Sequence, residues 1–347
     1  MAHPHATTPA LAVEGLTTQF ATRAGIVTPV DGVSFSIMPG QIMGLVGESG
    51  SGKSLTGYSI MGLIDPPGRI VGGSIKLNGK ELATHSQDQM RTVRGNRIAM
   101  IFQDPMMTLN PVLRIDTQMV EAVLAHQPVG KRQALAMSRD ALARVGIASP
   151  DERLLAYPHQ FSGGMRQRVA IAIALLNKPD LIICDEPTTA LDVTIQGQIL
   201  YEMQKLCRET GAALIWITHD LSVIAGLADT VSVMYAGKIV EQSAVNEIYY
   251  NSLMPYTMGL LSSIPRVDQL GGHRLKTIPG QPPSLIGLPP GCSFRTRCEF
   301  SSHVPGNLCK TTAPELEEKV PAHYSRCHLT VAQLEELNPS DVRSAHK

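Results

Sequence analysis

An apolar run, IMGLV (42–46), leads directly into GESGSGKS (47–54), and a helical stretch from about Leu55 to Leu63 follows. This succession matches the spacing G-x-x-x-x-G-K-[ST] in the strand, loop and helix context that such a loop needs. Gly47, Gly50 and Gly52, with Ser49 and Ser51 between them, let backbone N–H groups wrap a string of phosphates. Lys53 reaches the terminal pair, and Ser54 can ligate Mg2+. A buried strand must deliver the loop and a helix must leave it, so an α/β architecture is expected.

The remaining apolar runs agree. IAMIF (98–102), LIIC (181–184), ALIWI (213–217) and VSVMY (231–235) read as buried strands between helices. LIICDEP (181–187) ends its strand on two carboxylates: Asp185 can hold Mg2+ through water, and Glu186 is placed to polarise an attacking water. In HQFSGGMRQRVAIAIAL (159–175), Ser162, Gly163 and Gly164 open an Ala/Ile-rich helix and offer a second anion cradle. One nucleotide seldom needs two cradles on one chain, so the second is expected to act in trans, on a nucleotide bound by another subunit.

Thirty Lys and Arg balance thirty Asp and Glu, so no overall field draws the chain to nucleic acid, and no nucleic-acid partner is expected. MAHPHATTPA lacks the basic and apolar regions of a leader, and no run of about 18 apolar residues occurs. A cytoplasmic setting follows as an expectation, and with it reduced thiols. Beyond about Leu253 the texture becomes Pro- and Gly-rich, IPGQPPSLIGLPPGC, which reads as a boundary before a small separate module.

Taken together, these stretches resemble the ATP-binding cassette (ABC) ATPases from about Val13 to Val245. The resemblance implies a P-loop NTPase fold with a RecA-like core, an antiparallel β subdomain and a helical subdomain at about 106–158. The cassette would span 11–253, and an extension 254–347. Phe161 to Met165 correspond to the family's signature loop, with Phe and Met where Leu and Gln are usual. By the same correspondence Gln103 (IFQDP) senses γ-phosphate and Mg2+, Thr189 to Asp192 (TALD) cross the dimer interface, and His219 (WITHD) contacts γ-phosphate. ATP and Mg2+ are the implied ligands. The aromatic that often stacks on adenine is missing at Ala24 and Gly25; Phe20 is the nearest ring, and it also reads as a strand-face residue.

Finer likeness points to importers. FQDPMMTLNPVLRIDTQM (102–119), EIYYNSLMPYTMGLLSSIP (247–265) and IPGQPPSLIGLPPGCSFRTRC (278–298) are similar to the ATPase subunits of bacterial oligopeptide and dipeptide importers, with Met254 where a His is usual. That likeness implies a second, homologous ATPase subunit, two transmembrane permeases, and indirectly an extracytoplasmic solute-binding protein. It also implies a peripheral place on the inner face of a bacterial membrane. Nickel, glutathione or opine are the alternative solutes. The alternative class is a soluble, non-transport ABC ATPase that remodels a macromolecular complex.

Six cysteines remain. Cys184 in its strand and Cys207 in a helix over about Ile195 to Glu209 read as buried small hydrophobes. Cys292, Cys298, Cys309 and Cys327 are spaced C-x5-C-x10-C-x17-C in a stretch poor in core formers, where a bound metal would supply stability. Four thiolates suit zinc or an iron–sulfur cluster. The importer resemblance implies a [4Fe-4S] cluster. His303, His323 and His328 are spare ligand candidates that read better as surface residues.

Overall fold

The computed structural model describes residues 8–104, 108–188, 193–264 and 277–337. Two sheets organise the chain. In the first, β1 (Leu11–Thr22), β2 (Gly25–Ile37), β4 (Gly68–Leu77) and β5 (Lys80–Glu81) pair antiparallel in the order β2-β1-β4-β5. Its strands alternate: Leu11, Val13, Ile37 and Ile75 point to the core and their neighbours to solvent.

The second sheet runs β11-β12-β10-β9-β3-β8-β7-β6. Its centre is parallel: β3 (Ile42–Val46), β6 (Ile98–Ile101), β7 (Leu181–Asp185), β8 (Ala213–Thr218) and β9 (Thr230–Tyr235). Every residue of β3, β6, β7 and β8 is buried, because layers cover both faces, which is why these strands read as unbroken apolar runs. One face packs against the antiparallel sheet and α1 (Lys53–Ile60), bringing Met43, Leu45, Ile183 and Ile215 onto Leu11, Val33 and Ile75. The other face carries α7 (Val193–Thr210) and α8 (Leu221–Ala225), with Trp216, Met203, Cys207 and Ile224 in one core.

A helical arm has a core of its own. α3 (Ile115–Leu124), α4 (Lys131–Arg144) and α5 (Pro150–Leu154) pack on α6 (Gly163–Leu175), joining Ile115, Met119, Val123 and Leu142 to Phe161, Val169 and Leu176. Phe161, 3% exposed, is a member of this core, which takes in residues on both sides of position 158.

The C-terminal stretch corrects an expectation: it is not a separate cysteine-rich module. β10 (Lys238–Ala244) extends the main sheet antiparallel to β9, and β12 (His323–Ser325) and β11 (Glu317–Val320) continue it, with Glu241 opposite Ser325. Chain this rich in Pro and Gly builds few layers of its own, so it completes the open edge of an existing sheet. Below that edge, α9 (Val245–Asn251) and α10 (Pro255–Ser262) lead into the segment, and Phe294 packs edge-on against Tyr235 and Tyr256, centroids 5.3 and 5.4 Å away. Glu241, fully buried, accepts the Leu253 N–H and a 2.8 Å bond from His323 Nε2, so the buried carboxylate is held by both sides of the junction. Among the described residues no helix is long and apolar enough to cross a membrane.

Candidate functional site

The loop between β3 and α1 is fixed by two close backbone approaches. A Cβ on Gly47 would lie 2.2 Å from the Met234 carbonyl oxygen, and one on Gly52 2.0 Å from that of Pro29. Both glycines also take positive φ, 151° and 105°, so no other residue fits either position. Gly237 N–H donates to the Ser51 carbonyl at 3.0 Å, tying the loop to the turn after β9. Ser49 and Gly50 stay exposed at the tip. Lys53, 5% exposed, folds inward and donates to the carbonyls of Gly47 (2.7 Å) and Glu48 (3.0 Å). Burial lowers its pKa, and the carboxylates of Glu186, Asp185 and Glu48 oppose that shift.

Across from the lysine, the end of β7 delivers the acidic pair. Ser54 Oγ donates to Asp185 Oδ1 at 2.8 Å. Burial raises the Asp185 carboxyl above its ordinary range; the Ser54 bond lowers it and the neighbouring Glu186 raises it again. Glu186 follows in the left-handed region at φ 44°, an unusual place for a non-glycine residue. That turn aims its side chain at two partners: Gln103 Nε2 donates to Oε2 at 3.0 Å, and His219 Nδ1 lies 3.1 Å from Oε1. The site thus gathers at four strand ends: Lys53 and Ser54 open α1 after the loop that follows β3, Gln103 lies just past β6, the acidic pair closes β7, and His219 follows β8. A hydroxyl and a desolvated carboxylate beside a second carboxylate make a hard oxygen set that suits Mg2+, which would be held by Ser54 and Asp185, with Gln103 close by through Glu186.

The remaining expected residues divide. Ser162 Oγ accepts the Met165 N–H at 3.3 Å and caps α6, while Gly163 opens onto free space. Ser162 and Gly163 are exposed, Gly164 half-buried, and no hydrogen bond joins any of them to the phosphate loop among the described residues. Thr189 to Asp192 lie outside the described residues. The Phe20 ring lies over Gly68 of β4, as a strand-face residue would.

The metal expectation at the tail cysteines finds no support in the geometry of the described residues. Among the described residues no group of three or more His, Cys, Asp or Glu is placed to hold a metal ion. Cys292, Cys298, Cys309 and Cys327 are free thiols in the same segment, where Cys292 N–H donates to the Cys309 carbonyl at 2.9 Å. Burial first, and then the neighbouring cysteines, pushes Cys298 and Cys327 up to about 12. A single zinc needs its four sulfurs drawn around one centre, and that closure is absent here. His323 is taken by Glu241, His328 Nε2 lies 2.8 Å from the Thr312 carbonyl, and His303 is exposed. Cys184 and Cys207 are fully buried, and burial raises both thiols.

The motif GCSFRTRCEF does contribute to the site, through residues that cysteine spacing does not reveal. Arg297 forms a bidentate pair with Glu48 inside the phosphate loop, and the Tyr256 hydroxyl accepts the Glu48 N–H at 2.8 Å. The available signal is a carboxylate inside a phosphate-binding loop, which asks for a cation. Which cation it is cannot be read from a partner 249 positions away.

This constellation defines a nucleotide-binding ATPase cassette. Residues 30–189 match the family model described as ABC transporter, and residues 240–304 the one described as oligopeptide/dipeptide transporter, C-terminal region. The chain is 45% identical over 324 residues to the oligopeptide transport ATP-binding protein OppD of Salmonella typhimurium, covering 93% of this chain and 95% of that one. It is 50% identical to the dipeptide transport ATP-binding protein DppD of Bacillus subtilis, covering 83% and 86%. With OppD of Mycobacterium tuberculosis it shares 48% identity over 92% of this chain but spans only about half, 52%, of that longer relative. A dimeric ATP-binding cassette solved in a post-hydrolysis state with ADP and phosphate superposes with a TM-score of 0.62 at 24% identity, over 68% of this chain and 98% of that one, a likeness of fold. The chain belongs to the ABC transporter ATPase family.

Because burial raises Asp185, its ionisation opposes the nucleotide-free fold. The stability held by the neutral acid is present below the unfolded-state pKa and is lost as pH climbs through the folded-state value. Asp185→Asn is therefore expected to raise the thermal midpoint of the nucleotide-free chain at neutral pH, with the gain fading near pH 4. The same variant should lose most of the extra stability conferred by Mg2+ and ATP. A lowered midpoint at neutral pH, measured by calorimetry, would contradict this account.

Proposed function

We propose that this chain is the ATP-hydrolysing motor subunit of a multi-subunit importer for dipeptides and oligopeptides. The observation that carries the catalytic half is the Glu186 carboxylate clasped between Gln103 and His219 beside the Ser54–Asp185 pair. The peptide half is supported by the C-terminal match at 240–304 and by relatives whose names specify oligopeptide and dipeptide transport.

In this reading Gly47, Ser49, Gly50, Ser51, Gly52 and Lys53 hold the phosphates of ATP. Ser54, Asp185 and Gln103 hold Mg2+, which supplies charge neutralisation to the phosphates when bound. Glu186 accepts the proton of the attacking water, and His219 orients that carboxylate and meets the γ-phosphate. The exposed, open Ser162–Gly164 turn caps the nucleotide of the opposing subunit, with Asp192 at the same interface. ATP joins two cassettes, hydrolysis separates them, and the groove around Gln103 passes the movement to the permeases. The assembly comprises a second, homologous ATPase, two permeases and, indirectly, a solute-binding protein. The chain sits on the cytoplasmic face of the membrane. The functional division is a cassette at 11–253, with its helical arm at about 106–158, and a segment at 254–347 that leans on it.

For Cys292, Cys298, Cys309 and Cys327 we infer a [4Fe-4S] site. The support is proximity: Cys292, Cys309 and Cys327 share one apolar cluster, Cys292, Cys298 and Cys327 border another, and Cys292 N–H donates to the Cys309 carbonyl. A four-iron cube places each thiolate on a separate iron, and so asks for wider spacing than one ion does.

Two measurements test these readings. Glu186→Gln, in the transporter purified through this chain, is expected to retain ATP while turnover falls by about 100-fold or more; normal turnover would reject the role. Anaerobic purification is expected to give a brown protein with absorbance near 400 nm, lost in Cys298→Ser. A colourless wild-type protein that folds normally would remove the cluster.

A further inference from the structure

Glu48 occupies the first variable position of the phosphate loop, the one acidic residue within GESGSGKS. A carboxylate there repels a polyphosphate, and a partly desolvated site amplifies the repulsion. The structure answers with Arg297. Nη1 donates to Oε2 at 2.6 Å and Nη2 to Oε1 at 2.9 Å, a fork that matches the carboxylate plane. The guanidinium is 4% exposed and the carboxylate 26%.

The arginine is itself built in. Its Nε donates to the Pro279 carbonyl at 2.9 Å, and its charge lies 5.9 Å from the Tyr235 ring centroid and 6.0 Å from that of Phe294. Tyr256, from the same side, takes the Glu48 N–H, and Lys53 takes the Glu48 carbonyl. Every polar group of residue 48 is thereby held, its N–H and its carboxylate by the C-terminal segment. A neutral donor would suffice to anchor that segment. A full charge aimed at the loop's only carboxylate does more.

We propose that Arg297 is a positioning residue for ATP. By neutralising and fixing Glu48 it keeps the phosphate loop receptive to anions, so the C-terminal segment sets nucleotide affinity from outside the cassette motifs. This rests on reading the loop as the ATP site. Wild-type chain that bound no ATP would sink that reading itself, before any variant is compared.

The test is calorimetric titration of the full chain with ATP, ADP and AMP. Arg297→Gln is expected to weaken ATP by about tenfold, ADP less and AMP least, since the repulsion grows with phosphate charge. Adding Glu48→Gln to that variant should restore ATP affinity to within about twofold of wild type. If Arg297→Gln fails to fold, Arg297→Lys replaces it: the charge stays, the fork is lost, and ATP weakens by a smaller factor that Glu48→Gln again relieves. Unchanged ATP affinity, or an equal loss for all three nucleotides that Glu48→Gln does not relieve, would overturn the proposal and leave Arg297 a structural staple.

Discussion

The site depends on how tightly backbone closes around the phosphate loop. Pro29 and Met234 come from different sheets, and their carbonyls meet the loop where Gly52 and Gly47 leave no room for a side chain. The two sheets must therefore pack before the loop has its shape, and the loop's shape in turn points Lys53 and Ser54 toward the end of β7. Fold and site are one construction here. A change that loosens the sheet-on-sheet core over Met43, Leu45 and Ile183 acts on the phosphates as surely as a change in the loop.

Chemistry at the strand ends follows from that packing. Burial lowers the Lys53 pKa and raises that of Asp185, so the nucleotide-free site holds its charges at a cost. Mg2+ and triphosphate would relieve both groups, which gives ligand binding a driving force stored in the folded protein. Glu186, in its left-handed turn, is met from two sides by Gln103 and His219, which orient its carboxylate.

Much of this was legible in the sequence, for a physical reason. Buried parallel strands read as apolar runs, so IMGLV and ALIWI fall within β3 and β8 almost to the residue. GESGSGKS announces its own geometry because only glycine survives at Gly47 and Gly52. The C-terminal stretch was misread, since Pro and Gly density suggests a separate module and gives no hint that β11 and β12 continue the main sheet beyond β10. GCSFRTRCEF drew attention to its cysteines, while Phe294 and Arg297 between them make the contacts to Tyr235, Tyr256 and Glu48. Pairings across such separations belong to tertiary structure alone. Asp192 lies outside the described residues, and the Ser162–Gly164 turn makes no hydrogen bond to the phosphate loop among the described residues.

The most direct test of the central claim is to capture the full chain, affinity-tagged, from detergent-solubilised membranes of its own cell, and to identify what comes with it. A motor subunit of a peptide importer brings two polytopic permeases and a second cassette ATPase, and the captured assembly hydrolyses ATP faster when peptide and its binding protein are added. Recovery with a soluble macromolecular complex and no membrane protein would contradict the account.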